Sequence, residues 1–355
     1  MKRNAIVTIG LMVLTLMSVA GCKGNSSGKS LLTPTSSGAP YEVLVVASTE
    51  DLQSGAYEAL NNVLIQDILG LPQSEKSFKV SKVVEDDFSR ALKYCRNIII
   101  IKIDRIYSQG KIKFSRNVYS APQVIMSIQA ADVNQFKQYV TECRQSIIDF
   151  LTRVEMNREI DLLKKTHNMN VSQKVKEMFD CDVWVPQELV KRKEGKNFFW
   201  ATTDRGERDM SIVIYSYPYR DVNTFTSDYF FAKRDSVMKA NIPGPREGQY
   251  MSTARPYVTV KDSEVKGKYA QIARGLWEMT NYDMGGPFVS ISRVDEQNQR
   301  VIVAEAFIYA PGDEKRNLMR RMEATIYTLR LPDEIDVDRF NYAIEEVTIE
   351  PDSLN

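Results

Sequence analysis

From Tyr41 onward, apolar positions fall into short continuous runs and spaced stripes, which predict alternating strands and helices. YEVLVVAS is β-branched and bounded by polar residues, so it reads as a buried strand. Ala56 to Leu69 has helical spacing at Tyr57, Leu60, Leu64 and Ile68, with Gly70 and Pro72 as the stop. FKVSKVV predicts a second strand, and Asp86 to Tyr94 a short helix with acids at its favourable N-terminal end. NIIIIKI is apolar on both faces, as expected of a central strand with helices on either side. PQVIMSIQA is a further strand, and the alternation of strand and helix argues for α/β layers.

The clearest periodicity comes next. Val133, Phe136, Val140, Cys143, Ile147, Phe150 and Val154 recur at spacings of three and four, and Tyr139 and Leu151 widen the stripe. Ile160 and Leu163 continue it after a shift in phase. The pattern predicts one long helix, packed on its own sheet rather than in a coiled coil with a partner. Arg158, Lys164, Lys165, Lys174 and Lys176 give its far end a solvated basic face, and Asn168-Met169-Asn170 marks a break.

Beyond the break, strands dominate. CDVWVPQELV, NFFWATT and SIVIYSYPY read as three strands, separated by the charged turns KRKEGK and DRGERD. Thr226 to Met238 is helical, and the Pro/Gly-rich stretch before Tyr257 is irregular. YVTVKD, KYAQIARGLWEMTN, PFVSISRVD and RVIVAEAFIYA are strands, the last two joined by DEQNQ. Asp313 is placed to cap a closing helix with Leu318, Met322, Ile326 and Leu329 on its core face, ended by Pro332. The expected fold is therefore α/β and α+β, in two sheet-plus-helix sandwich units. Residues 41–167 form an α/β unit ending in a long helix, and residues 168–332 an α+β unit, strand-rich and largely antiparallel. Residues 333–355, with eight acidic residues and one Arg, read as a solvated acidic tail.

The N-terminus changes the picture. Lys2 and Arg3 precede an apolar run from Ala5 to Ala20, shorter than the ~20 residues that span a bilayer. Residues 1–21 thus read as a signal peptide, and Val19-Ala20-Gly21-Cys22 resembles the bacterial lipobox, in which the Cys is acylated. Cys22 is the expected lipidation site, carrying palmitate or similar chains, and residues 22–40 a flexible tether rich in Gly, Ser and Pro. Loss of residues 1–21 reduces 47 basic residues to 45 against 46 acidic, a net charge of −1. Such a balance offers no general attraction to nucleic acid.

Candidate chemistry is sparse. His167 is the single histidine, which argues against Ser-His-Asp and Cys-His catalysis and against His-based metal sites. No Gly-rich phosphate loop is present, and no cofactor or metal site is expected. Ser236 and Lys239 share the SxxK spacing, but the Ser falls late in its helix. Asp235-Ser236-Val237 and Asp352-Ser353-Leu354 match a short O-glycan acceptor pattern. Whether Cys95, Cys143 and Cys181 form a disulfide is open, Cys95–Cys143 being the pair favoured. Loops of the second unit combine Arg with aromatics, the residue types that dominate interfaces. Tyr219, Arg220, Arg246, Arg255, Trp277 and Tyr282 are the candidate binding residues.

The lipobox, the two-part α/β body and RGLWEMTNYDMGGPFVS together resemble an uncharacterised Bacteroidota envelope lipoprotein family, a domain of unknown function. The resemblance implies a location and no residue roles. The order strands, helix, strands, closing helix is also similar in architecture to the Mog1/PsbP-like sandwich. No acidic run follows Cys22. The expectation is a lipoprotein of the outer membrane facing the periplasm, held through lipid on Cys22 and acting as a binding or assembly module for an envelope protein or glycan. The alternatives are a carboxylate-based hydrolase of an envelope glycan, with Glu278 and Asp283 as candidate acids, and a structural spacer.

Overall fold

The structure is a computed structural model that describes residues 33–335. The signal peptide, Cys22, most of the tether, most of the acidic tail and Asp352-Ser353-Leu354 lie outside the described residues. Among the described residues are seven α-helices and thirteen strands, the strands in two sheets.

The first sheet comes from β1 (Glu42–Ala47), β2 (Lys79–Val84), β3 (Asn97–Ile103), β4 (Lys111–Arg116) and β5 (Val124–Ala130). Its order is β2-β1-β3-β5-β4, parallel except for β4 at the edge, so the sheet is mixed. Three helices precede or follow these strands: α1 (Thr49–Gln53), α2 (Ala56–Leu64) and α3 (Val133–Glu142); α4 (Arg144–Thr166) comes next. Side chains alternate across a strand, so Val43 and Val45 pack against Leu60, Leu64, Phe136 and Phe150, while Leu44 and Val46 face the other way. That second face is covered by Phe88 and Leu92, not by a helix layer. The helix expected over Asp86 to Tyr94 is instead two 3-10 turns, Glu85–Asp87 and Leu92–Tyr94. A helical nucleus is costly and a short helix relies on packing an apolar stripe, which two side chains do not supply.

The long helix is interrupted once. Cys143 (φ −88°, ψ 9°) ends α3 and precedes α4. The apolar seam survives the break, because Phe136, Val140, Cys143, Ile147, Phe150 and Val154 are all buried against the first sheet. The phase shift at Ile160 marks where α4 changes partner. Met156, Ile160 and Leu163 pack on Trp184 and Ala324, residues of the second half of the chain. Between these two stretches sits Glu155, which is buried and accepts from Arg96 (2.7 Å), Asn97 (2.6 Å) and Arg158 (2.8 Å). The expected break at Asn168-Met169-Asn170 is instead the two residues His167 and Asn168: Asn168 accepts from the Val171 amide and caps α5 (Met169–Phe179).

The second sheet is wholly antiparallel. It contains β6 (Lys191–Gly195), β7 (Phe198–Thr202), β8 (Asp209–Pro218), β10 (Thr259–Val265), β11 (Lys268–Met279), β12 (Tyr282–Asp295) and β13 (Arg300–Tyr309). The order is β10-β11-β12-β13-β8-β7-β6, with short β9 (Met251–Thr253) pairing the end of β11. α5 and the closing helix α7 (Arg316–Tyr327) cover one face, and α6 (Ser227–Asn241) the other. Arg234 fixes α6 in place. It is fully buried, donates to both oxygens of buried Glu305 on β13 (2.9 and 2.7 Å) and to Thr253 (2.7 Å), and lies 4.0 Å from the Phe288 ring.

Two strand expectations are corrected. CDVWVPQELV is not a ladder strand; Val183, Val185 and Leu189 are buried in the core, and Asp182 alone bridges Arg330. KRKEG, expected as a turn, is edge strand β6. Its exposed charges follow the rule that edge strands resist further pairing through charge, so burial pattern does not reveal it. Both ends of the described chain are also held more closely than expected. Ser36 and Ser37 of the tether donate to Ala121 (3.1 Å) and Tyr94 (2.8 Å), and Glu334 of the acidic tail accepts from Arg293.

Both sheets lie within one compact unit. The start of α7 is one of their joints. Asp313 is exposed and does not cap this helix; the buried Glu75 carboxylate accepts from the amides of Lys315 and Arg316, both at 2.7 Å. The cap lies some 240 residues away in sequence, out of reach of any local pattern. Glu75→Ala removes an anion from a helix N-terminus and leaves two amides unpaired. The expected loss is about 1–2 kcal/mol in urea unfolding, with Glu75→Gln, which keeps an acceptor, losing less.

Candidate functional site

A cleft of about 770 Å³ opens where the two sheets meet. One wall is the loop after α2 (residues 66–71) with Gln145, Ile148 and Asp149 of α4; the other is β10, β11 and the first turns of α7. Backbones approach closely at its floor. A Cβ on Gly70, whose φ is +84°, would lie 3.2 Å from the Gly275 amide, and one on Gly275 would meet Tyr257 O at 2.3 Å. Glycine is required at both, so the loop after α2 and the entry to β10 can crowd β11.

Charge in the cleft is matched in number, with Lys261, Arg274, Arg316 and Arg320 lining it beside Asp67, Asp149, Asp262 and Glu323. Arg316, Arg320 and Glu323 line it from α7, and their spacing of four and three residues puts them on one helical face. Arg274 on β11 donates to Glu323, which is buried. Burial works to raise the Glu323 pKa, but Arg274 and Arg320 overcome it and hold the carboxyl below its ordinary range. The same pair acts on Tyr327, pushed up to about 12 by burial and the Glu323 charge. The other carboxylates are engaged. Asp67 accepts from Lys76 (2.8 Å), Asp262 from the Tyr269 hydroxyl (2.6 Å) and Asp149 from Gln145 (2.9 Å). Arg320 differs. Its guanidinium lies 5.6 Å from the Tyr41 ring centroid, and its Nε is buried without an acceptor. Leaving such a donor unmatched costs about 1–3 kcal/mol.

The apolar part of the lining is comparable in extent. Leu276, Ile272 and Met319 line the cleft, with Tyr257 and Leu69 largely exposed at 67% and 78%. A polar anchor beside apolar walls, at a junction between structural units, is the common form of a ligand site.

The family model of a domain of unknown function, DUF4837, matches residues 168–328, and that of a second, DUF8532, matches residues 36–164. Both parts fit uncharacterised domain families. One wall of the cleft comes from the DUF8532-like part and the other from the DUF4837-like part. No curated protein matches the chain. Among solved structures it is similar to the Saccharomyces cerevisiae Ran-binding protein Mog1p, at 8% identity and a TM-score of 0.28, over 43% of this chain and 90% of that one. A mutant of Mog1 gives 8% and 0.27, over 42% and 90%. The human StarD13 lipid transfer and protein localization domain gives 8% and 0.20, over 45% and 95%. Likenesses this low carry no argument here.

All six residues singled out from the sequence fall in the DUF4837-like part, and they do not converge. Trp277 is buried, its indole N–H donating to Ile308 O at 3.2 Å, so it belongs to the core. Arg255 is exposed, bonds Asp235 (3.0 Å) and lies over Phe231. Arg246 and Tyr282 are exposed and sit close together, since Gln249 ties the Arg246 turn to Asn281 O (2.8 Å). Tyr219 packs on Phe225 beside exposed Arg220, and its amide bonds Gln299 O just past the end of β12. Tyr282 begins β12, so that 14-residue strand separates the two groups by roughly 40 Å.

Other candidates resolve simply. His167 stacks on Trp184, with Nδ1 2.9 Å from Leu163 O, a structural placement. Cys95, Cys143 and Cys181 form no disulfide, so the favoured Cys95–Cys143 pair is not made. Glu278 and Asp283 share a shallow hollow of about 620 Å³ at the turn between β11 and β12, both exposed. Among the described residues, no group of three or more His, Cys, Asp or Glu is placed to hold a metal ion. The sequence reading missed Arg274, Arg316, Arg320 and Glu323. The available signal was the charged stripe flanking the apolar face of α7 in RNLMRRMEATIY.

Glu323 offers a pH test. Its folded pKa lies below the ordinary glutamate value of ~4.3, so its stabilising contribution is complete above that value and is lost as pH falls through the folded pKa. Glu323→Gln should remove that acid-side loss. It should also cost about 2 kcal/mol at pH 7, the low side of a broken buried pair because the Arg274 side chain is 37% exposed. Urea unfolding of both proteins from pH 3 to pH 7 measures both effects.

Proposed function

We propose that this protein is a lipid-anchored, non-enzymatic binding module of the bacterial cell envelope, held by acylated Cys22 in the outer membrane and facing the periplasm. The family reading is that of a Bacteroidota envelope lipoprotein. The anchor is supported by the sequence Val19-Ala20-Gly21-Cys22 behind a basic start and a short apolar run. No described helix is long and apolar enough to cross a membrane. The binding role rests on one observation: the cleft built jointly by the two parts of the chain, lined by charged side chains beside aliphatic and aromatic ones. A spacer has no use for a formed cavity with polar and apolar walls, whereas such a cavity is the common form of a ligand site. Glu278 and Asp283, the acids a hydrolase would use, are exposed in the shallow hollow elsewhere on the sheet.

Cys22→Ser tests the anchor. After fractionation of the native host, the unaltered protein is expected to pellet with membranes and the variant to appear in the soluble periplasmic extract. Retention of Cys22→Ser in the membrane pellet would falsify the lipid anchor.

A further inference from the structure

Away from the cleft, charge is concentrated on one edge of the first sheet. Given the anchor at Cys22 proposed above, the geometry points to the β4 edge and the adjoining open face as a docking surface for an anionic lipid leaflet, the one that holds the anchor. Lys102, Lys111 and Lys113 meet the headgroups there, with Ile106, Val118 and Tyr119 as apolar contacts before and after β4.

Three observations carry this. First, residues 88–130 hold eight Lys or Arg against one acid, Asp104. A near-neutral total hides that local excess, and the local field is what a nearby surface meets. Strand register places part of it. Lys102 pairs with Gln129, which pairs with Lys111, and Ser127 pairs with Lys113. Paired residues share a face, here the face of Ile125. Phe88 and Leu92 pack on its apolar part, and all three lysines lie exposed. Second, the fold supplies them no countercharge. Among the described residues, none of the three has an ion-pair partner. Asp104 accepts from the Ile106 amide (3.0 Å), Asp132 from the amides of Asn134 and Gln135 (2.8 and 2.9 Å), and Glu142 from Gln138 (2.7 Å). Glu85, Asp86 and Asp87 follow β2, the opposite edge of the sheet. Third, the tether enters the body beside this edge. Thr35 bridges Ala121, in the connection from β4 to β5, and the Ser37 amide donates to Tyr94 O (2.8 Å). Pro34 stands twelve residues on from Cys22, a length that reaches about 19 Å on average and about 40 Å at full stretch. Residues 23–33 add Lys23 and Lys29 and no acid. Val118 and Tyr119 are 50% and 38% exposed in the same connection, and Ile106, before β4, is 77% exposed. An acyl anchor keeps this surface at high effective concentration beside the leaflet, and a basic patch is the second signal that makes such anchoring firm. That reach favours the leaflet over a soluble acidic partner.

The test reconstitutes the lipidated protein, purified from its native host, into vesicles of phosphatidylcholine alone or with phosphatidylglycerol. Both kinds should pellet the protein. Backbone hydrogen exchange over residues 104–120 should be slower by about threefold or more on the anionic vesicles than on the neutral ones. Raising salt to about 0.5 M, where screening shortens to a few ångströms, should abolish that ratio. The combined variant Lys102→Gln, Lys111→Gln, Lys113→Gln should lose it. Lys164→Gln, Lys165→Gln, Lys196→Gln, which removes the same charge from exposed positions elsewhere, should keep it. Near-UV circular dichroism establishes that both variants are folded; should either unfold, the salt dependence of the unaltered protein carries the comparison. Anionic vesicles that pellet the protein without slowing exchange overturn the docking surface and leave the anchor intact. Equal slowing on neutral vesicles, or slowing kept in the first variant, overturns the anionic assignment. Pelleting with neither kind overturns the anchor, and the docking with it. Pelleting with anionic vesicles alone, through the three lysines, supports the surface and overturns the anchor.

Discussion

The structure depends on one helix serving two cores. The 23 residues of α4 extend roughly 35 Å at the α-helical rise, longer than one sheet face requires. Its first turns bury Ile147, Phe150 and Val154 against the first sheet, and its last turns bury Met156, Ile160 and Leu163 against Trp184 and α7. At the changeover, Glu155 gathers Arg96, Asn97 and Arg158, and Arg158 also donates to Arg96 O at 2.8 Å. A buried carboxylate with this many donors adds little net stability compared with an apolar core. Its effect is geometric: any slip of α4 along the first sheet strands a charge in the interior, so the register of the helix is fixed. The position of α7, and with it the second sheet, follows from that register.

The cleft is a consequence of the same arrangement. α4 and α7 pack together through their apolar stretches, while the first turns of both contribute to the cleft wall, Gln145, Ile148 and Asp149 from one and Arg316, Met319 and Arg320 from the other. Glu75 pins the start of α7 to the first sheet's connection, and Arg316 adds a bond to Lys76 O. The arginines on α7 are thus held by contacts on both sides of the opening. Side chains fixed in this way lose little freedom when a ligand arrives, which is the physical meaning of a preorganised site.

Much of the fold was legible because strands and helices announce themselves by period. The first-sheet strands, the seam through Val154 and the long antiparallel strands each carry an alternation or a three-four spacing that burial reproduces. Failures occurred where the deciding partner is remote or polar. KRKEG is a strand because β7 pairs with it, and nothing in its own charged sequence says so. CDVWVP has a strand's composition but finds its neighbours in α4, α5 and α7 rather than in a ladder. The cap of α7 comes from Glu75, and the phase shift at Ile160, visible in the sequence, was not interpretable without the helix on which that stretch packs. The candidate site was missed for the same reason. Arg and aromatic residues in loops stand out in the sequence, whereas the charged residues of the cleft lie on α7 and β11 and are brought together only by the fold.

Two buried arginines make the distinction concrete. Arg234 is fully enclosed, yet it carries no functional implication, because Glu305 and Thr253 take its donors and the Phe288 ring receives its face. Burial drives the Glu305 pKa upward while the guanidinium pulls against it, and the pair locks α6 onto β13 with its donors and acceptors matched within the chain. Arg320 is less buried but less satisfied, with its guanidinium 5.6 Å from the Tyr41 ring centroid and its Nε without an acceptor. Composition treats the two alike, and so does a count of buried charge. The difference lies in whether the fold supplies an acceptor for each guanidinium nitrogen, which it does for Arg234 and does not for Nε of Arg320.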